Sequence, residues 1–140
     1  MKKITLLFIS IITIGLTSVS CNKDDDEKTA AIEGKWIFSK EGDTEATLSD
    51  WEHTTGCDKD YMVIESGGKI SFYIFEKEGS SCIPEIETGI WVRNGNKVTI
   101  TFDEVEIYEI EIANLTNSEL KTKDINPEGD DGYITVFTRG

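Results

Sequence analysis

"TGIWVRNGNKVTITFD", residues 88–103, carries the pattern on which the fold turns. In its second half Val98, Ile100 and Phe102 alternate with Lys97, Thr99 and Thr101. Alternation of period two is the mark of a strand with one face buried. Gly95-Asn96 ahead of it reads as a hairpin turn, and "TGIWVRN" before the turn reads as the partner strand.

The same grammar extends in both directions. Upstream, "KISFYIFEKE" (69–78) sets Ile70, Phe72 and Ile74 on one face and Tyr73 and Phe75 on the other. Gly67-Gly68 joins it to "YMVIES" (61–66), and "GKWIFSK" (34–40) is the first strand. A polar stretch, 41–60, lies between; Leu48, Trp51 and His53 suggest a turn of helix or a lid there. "GSSCIPEIE" (79–87), with Cys82 and Pro84, reads as a loop. Downstream, the apolar phase of "VEIYEIEIANL" (105–115) slips between Ile107 and Tyr108, which places a turn or bulge near residues 103–106. Beyond the slip, Tyr108, Ile110 and Ile112 oppose Glu109 and Glu111. Residues 117–119 form a turn, "LKTKDI" (120–125) a seventh strand, "NPEGDDG" (126–132) a loop and "YITVFTR" (133–139) the last strand.

No segment shows a convincing amphipathic helix. About eight sequential strands with short connections predict an all-β, antiparallel up-and-down meander, and closing it into a barrel removes both exposed edges. A barrel of about eight strands has an interior that is either filled by side chains or able to hold one small ligand.

The N-terminus addresses the chain. Lys2 and Lys3 precede an apolar run from Ile4 to Leu16, and small residues Ser18 and Ser20 precede Cys21. This is the layout of a secretory signal, and the run is short of the roughly 20 residues of a membrane span. A membrane anchor and a plain signal peptide cut near Ser20 are the alternatives. Ser18-Val19-Ser20-Cys21 resembles the bacterial lipobox, with Ser18 where Leu is usual; looser lipoboxes are typical of the Bacteroidetes. The resemblance implies a signal peptide over 1–20, a lipid on Cys21 and a place in the outer membrane of the cell envelope. Acyl chains at about 0.8 kcal/mol per buried CH₂ give a stable anchor when two or three are present. "NKDDDEK" then follows without an apolar residue, so 21–32 is expected to be a tether that cannot fold. A Lys followed by acids just after the cysteine also resembles the export signal of surface lipoproteins; the alternative is a solvated spacer.

Residues 33–140 remain for one small domain. The chain holds 27 acidic against 14 basic side chains, a formal charge of −13, and loss of Lys2 and Lys3 makes it more negative. Nucleic acid is a poor partner for such a body. With Cys21 assigned to lipid, Cys57 and Cys82 are an even pair and are expected to form a disulfide in an oxidising envelope; two free thiols are the alternative.

Gly34-Lys35-Trp36 resembles the Gly-x-Trp signature of lipocalins. The order of "GKW", "CDKDYMVIES", "GGKISFYIF", a second cysteine, "GIWVRNGNKVTITF" and "YEIEIANLTNSELKTK" is similar to the lipocalin-like domain of Bacteroidetes lipoproteins, over 34–139. The resemblance implies that Trp36 closes one end of the barrel. It also implies an Arg of a late strand packed over the indole, and Arg139 is the candidate.

Catalytic chemistry finds no footing. His53 is the only histidine, and no Gly-x-Ser-x-Gly elbow or phosphate loop accompanies it. Asp24 to Glu27 and "EGDDG" (128–132) lack the spacing or length of a calcium loop, so neither metal nor cofactor is expected. The aromatics Trp36, Trp51, Phe72, Trp91, Phe102, Tyr108 and Phe137 either line a cavity for an apolar ligand or fill the barrel, and at this size filling is favoured. Two functional classes follow. One is a membrane-anchored lipocalin-like carrier of a small apolar molecule; the other is a ligand-free module that binds a partner protein.

Overall fold

The computed structural model describes residues 30–125 and 132–140. Nine strands follow one another: β1 (Gly34–Gly42), β2 (Ser49–Asp50), β3 (Tyr61–Ile64), β4 (Lys69–Glu78), β5 (Ser81–Asn94), β6 (Lys97–Phe102), β7 (Glu106–Leu115), β8 (Glu119–Asp124) and β9 (Ile134–Arg139). Each pairs antiparallel with its neighbour, and β9 returns to β1. The result is a closed eight-stranded barrel, with the two-residue β2 attached to the outside of the circuit on β1. Closure removes the two edges that the first and last strands of an open meander would expose.

Alternation sets what faces inward. Val98 and Ile100 are 1% and 2% exposed, and the register puts Ile100 between Trp91 and Tyr108, and Val98 opposite Ile110. Ile112, Leu120, Phe137, Phe38, Met62, Ile64 and Ile70 complete the core with Ile32 and Trp36. Ile32, at the tail of the expected tether, is only 3% exposed. All core residues fall between Ile32 and Phe137, so segment 22–140 carries every strand, the whole core and Cys57 and Cys82. The expected signal peptide and Cys21 lie outside the described residues.

The structure corrects the reading of 79–87 as a loop. Only Gly79 and Ser80 turn; β5 then pairs residue for residue with β4 from Ser81↔Glu78 to Ile90↔Lys69. β6 joins β5 only from Gly89 onward, so residues 81–88 are hydrogen-bonded on one side and project past the barrel. Exposure of that hairpin removes any inward–outward pattern from its sequence. Pro84 is tolerated because a strand with one free side has room for a residue lacking N–H.

Near 103–106 the chain makes a tight turn, closed by Val105 N–H donating to Phe102 C=O at 3.2 Å. Asp103 and Glu104 take φ of 44° and 61°, both left-handed, in a three-residue connection between the paired Phe102 and Glu106. Register runs on unbroken from Phe102↔Glu106. The slip in apolar phase reflects Val105 and Ile107 facing solvent, 86% and 65% exposed. The bulges fall elsewhere, between Phe38 and Lys40 and between Ile112 and Asn114.

Candidate functional site

One end of the barrel is sealed. It holds Ile32, the turns at 65–68, 95–96 and 116–118, and the C-terminus. Trp36 is fully buried there, its Nε1 donating to the Ile32 carbonyl at 2.6 Å. The Arg139 guanidinium lies 3.8 Å from the indole centroid. It donates to the carbonyls of Glu33 and Ala31, each at 2.7 Å, and of Asn117 at 3.3 Å. A cation on an indole face is attracted by the ring quadrupole, and the three carbonyls satisfy its donors. Gly34 makes the approach feasible: at φ +127° it carries no Cβ, which would stand 2.6 Å from Arg139 Nη1. Trp36 therefore closes the end, and lies outside the lining of the cavity described below.

The other end is covered by the stretch after β1. A 3₁₀ turn at Glu45–Thr47 leads through β2 to residues 51–60. Trp51 lies on Phe38 with ring centroids 4.3 Å apart. Asp60, 2% exposed, anchors this lid. Its Oδ2 accepts from Trp51 Nε1 and its Oδ1 from Phe75 N–H, both at 2.8 Å. Asp60 N–H donates to His53 Nδ1 at 3.0 Å, so the sole histidine is committed to the loop. A disulfide between Cys57 and Cys82, Cα atoms 5.5 Å apart, ties the lid to the β4–β5 hairpin.

Inside the barrel lies a cavity of about 130 Å³. Ile64, Ile70, Val98, Ile100, Ile110 and Leu120 line it, with Phe72, Trp91, Tyr108 and Phe137 among the aromatic walls. Of the expected lining aromatics, those four face the cavity. Phe102 packs instead on Phe72, centroids 5.9 Å apart, and covers Gly89, where a Cβ would stand 3.0 Å from its ring.

Three polar residues on this wall, Thr122, Asp124 and Thr135, escaped the sequence reading. Asp124 is opposite Ile110 in the β7–β8 register, which turns it inward beside Tyr108. The Tyr108 hydroxyl bonds to Asp124, and burial followed by this bond and the carboxylate charge pushes its pKa above the ordinary tyrosine range. Thr122 Oγ1 donates weakly to the Thr135 carbonyl at 3.5 Å. Among the described residues no group of three or more His, Cys, Asp or Glu is arranged to hold a metal ion.

Comparison with known proteins agrees with this architecture. No curated protein sequence matches. A lipocalin-like protein from Bacteroides uniformis superposes with a TM-score of 0.57 at 14% identity, over 77% of this chain and 97% of that one. An uncharacterised protein from Bacteroides eggerthii gives 0.56 at 12% identity, over 77% and 98%. The profile of the lipocalin-like domain family matches residues 32–122, from the buried Ile32 to the cavity-lining Thr122. With its sealed, disulfide-tied eight-stranded barrel, this chain belongs to the lipocalin-like domain family.

Proposed function

We propose that this protein is an envelope lipoprotein, held to the outer membrane by lipid on Cys21, whose barrel carries a small apolar molecule. The observation that carries the ligand reading is a cavity of about 130 Å³ inside the barrel, walled mostly by apolar and aromatic side chains. Its size is on the order of the roughly 150 Å³ apolar cavity that stays dry and takes benzene. The ligand is therefore small, well below what pockets of about 300–1,000 Å³ accept. Phe72, Trp91, Tyr108 and Phe137 are the proposed contacts.

Bromobenzene, whose heavy atom quenches indole emission, tests the carrier. Quenching of segment 22–140 should saturate through Trp91, and Ile110→Phe, which fills the cavity, should abolish the saturable part. A linear, non-saturating response shared by wild type and variant would refute the reading. The anchor is tested separately: Cys21→Ser should release the chain from membranes or block removal of the leader. An unchanged membrane fraction with the leader removed would overturn it.

The second reading, a module that binds a partner protein, is favoured by one strip of the outer surface. Ile90, Val92 and Ile107 are 61%, 66% and 65% exposed, and Ile90 and Ile107 flank Thr101 in register. Replacing Ile90 and Ile107 by Glu should abolish capture of such a partner while bromobenzene binding persists; retained capture would exclude the strip.

A further inference from the structure

We infer that the cavity selects a small primary amine, with an apolar body the size of one aromatic ring and its ammonium seated on Asp124 and Tyr108. The inference rests on the carrier reading and adds the chemical class of the ligand.

The polar wall offers acceptors. Tyr108 stands with Asp124 on the cavity wall, and burial and the carboxylate hold its hydroxyl in the neutral form, whose oxygen offers lone pairs to an occupant. The Asp124 carboxylate, on the same wall, is acceptor-only when ionised. Thr122 leans its hydrogen on the Thr135 carbonyl, and Trp91 spends its single N–H on the Glu65 carbonyl at 2.9 Å. An occupant that places a polar head here must bring the donors itself.

Among the described residues, acidic side chains gather at the same end, with Lys123 next to Asp124 in the chain. Glu41, and more weakly Asp43 and Asp124, hold the nearby Tyr133 hydroxyl above the ordinary tyrosine range. Glu106 is opposite Phe102 at the inner rim. Beside Asp124 a carboxylate head would meet like charge, whereas an ammonium would meet its opposite. Its bonds to Asp124 would be charge-assisted, about twice as strong as neutral ones. The apolar remainder of the wall takes the ring.

Three near-isosteric probes decide the matter: phenethylamine, ethylbenzene and phenylacetate, titrated into ¹⁵N-labelled segment 22–140 and followed by amide shifts. Phenethylamine should bind about tenfold or more tighter than ethylbenzene, with phenylacetate weakest. Asp124→Asn should erase the preference for the amine over ethylbenzene. Phenylacetate binding as well as phenethylamine, or a preference that survives Asp124→Asn, would overturn the inference. Ethylbenzene binding without any amine preference would overturn it while leaving the carrier standing. Failure of all three probes would remove both. The wild-type comparison holds even if the variant does not fold.

Discussion

Asp60 is the residue whose loss should matter most for its size. Its two carboxylate oxygens each accept one hydrogen bond at 2.8 Å, from the Trp51 indole and the Phe75 amide. Its carbonyl takes the Phe38 amide at 3.2 Å, a contact that side-chain replacement leaves in place. Hydrogen bonds to a charged group contribute about 1.5–3 kcal/mol each. Asp60→Ala removes two, which bounds the loss at about 3–6 kcal/mol; partial exposure of Trp51 and access of water favour the lower half. Asp60→Asn is the sharper probe. An amide has one acceptor oxygen, so whichever way it turns, either Trp51 or Phe75 meets an NH₂ group, and about 1.5–3 kcal/mol should be lost. Against a total of about 5–15 kcal/mol for a domain of this kind, both changes are large. Urea melts of segment 22–140, followed by tryptophan emission and circular dichroism, measure them. Exposed Asp58→Asn is the control and should stay within about 0.5 kcal/mol of wild type. If Asp60→Asn matches that control, Asp60 does not hold the lid, and the hydrogen-bond assignment is wrong.

Other changes separate the remaining parts. Phe102→Ala should cost about 2–4 kcal/mol, less than a fully buried Phe because the ring is partly exposed, while outward Thr101→Ala should cost under about 0.5 kcal/mol; equal urea midpoints would reject the inward–outward assignment. Replacing Cys57 and Cys82 together by Ser should lower stability by about 3 kcal/mol through the freed loop; unchanged melts with and without reductant would refute its contribution. Gly34→Ala should destabilise by about 2 kcal/mol or more, from positive φ and the clash with Arg139, and Arg139→Ala should relieve part of that penalty; strict additivity in the double-mutant cycle would deny the contact.

Much of the barrel was legible because it is written in local pattern. Residues 97–102 alternate cleanly since β6 is flanked on both sides and buried on one face, so each side chain reports its side. Residues 81–88 gave no such signal: both faces of that hairpin meet solvent, and its only cause of strand is hydrogen bonding to β4. Trp36 was readable as an end plug through Gly-x-Trp, yet its inclusion with the lining aromatics failed, because composition cannot place a ring along the barrel axis. Asp60 and Asp124 were invisible for another reason. Each is one acid among 27, and nothing in its neighbours marks it.

The sequence by itself therefore determined the fold class and most strand positions, since these follow from periodicity and turn chemistry; it made Cys57 and Cys82 the expected pair, and the structure bonds them. Tertiary structure alone decided which residues meet. Asp124 reaches Tyr108 because β7 and β8 pair in one register, and a shift of one residue would turn Asp124 outward. The lid is held because Asp60 meets Trp51 from nine residues upstream and Phe75 from fifteen downstream. Contacts between distant segments depend on how the sheet closes, and that is a property of the whole chain, which no local stretch encodes.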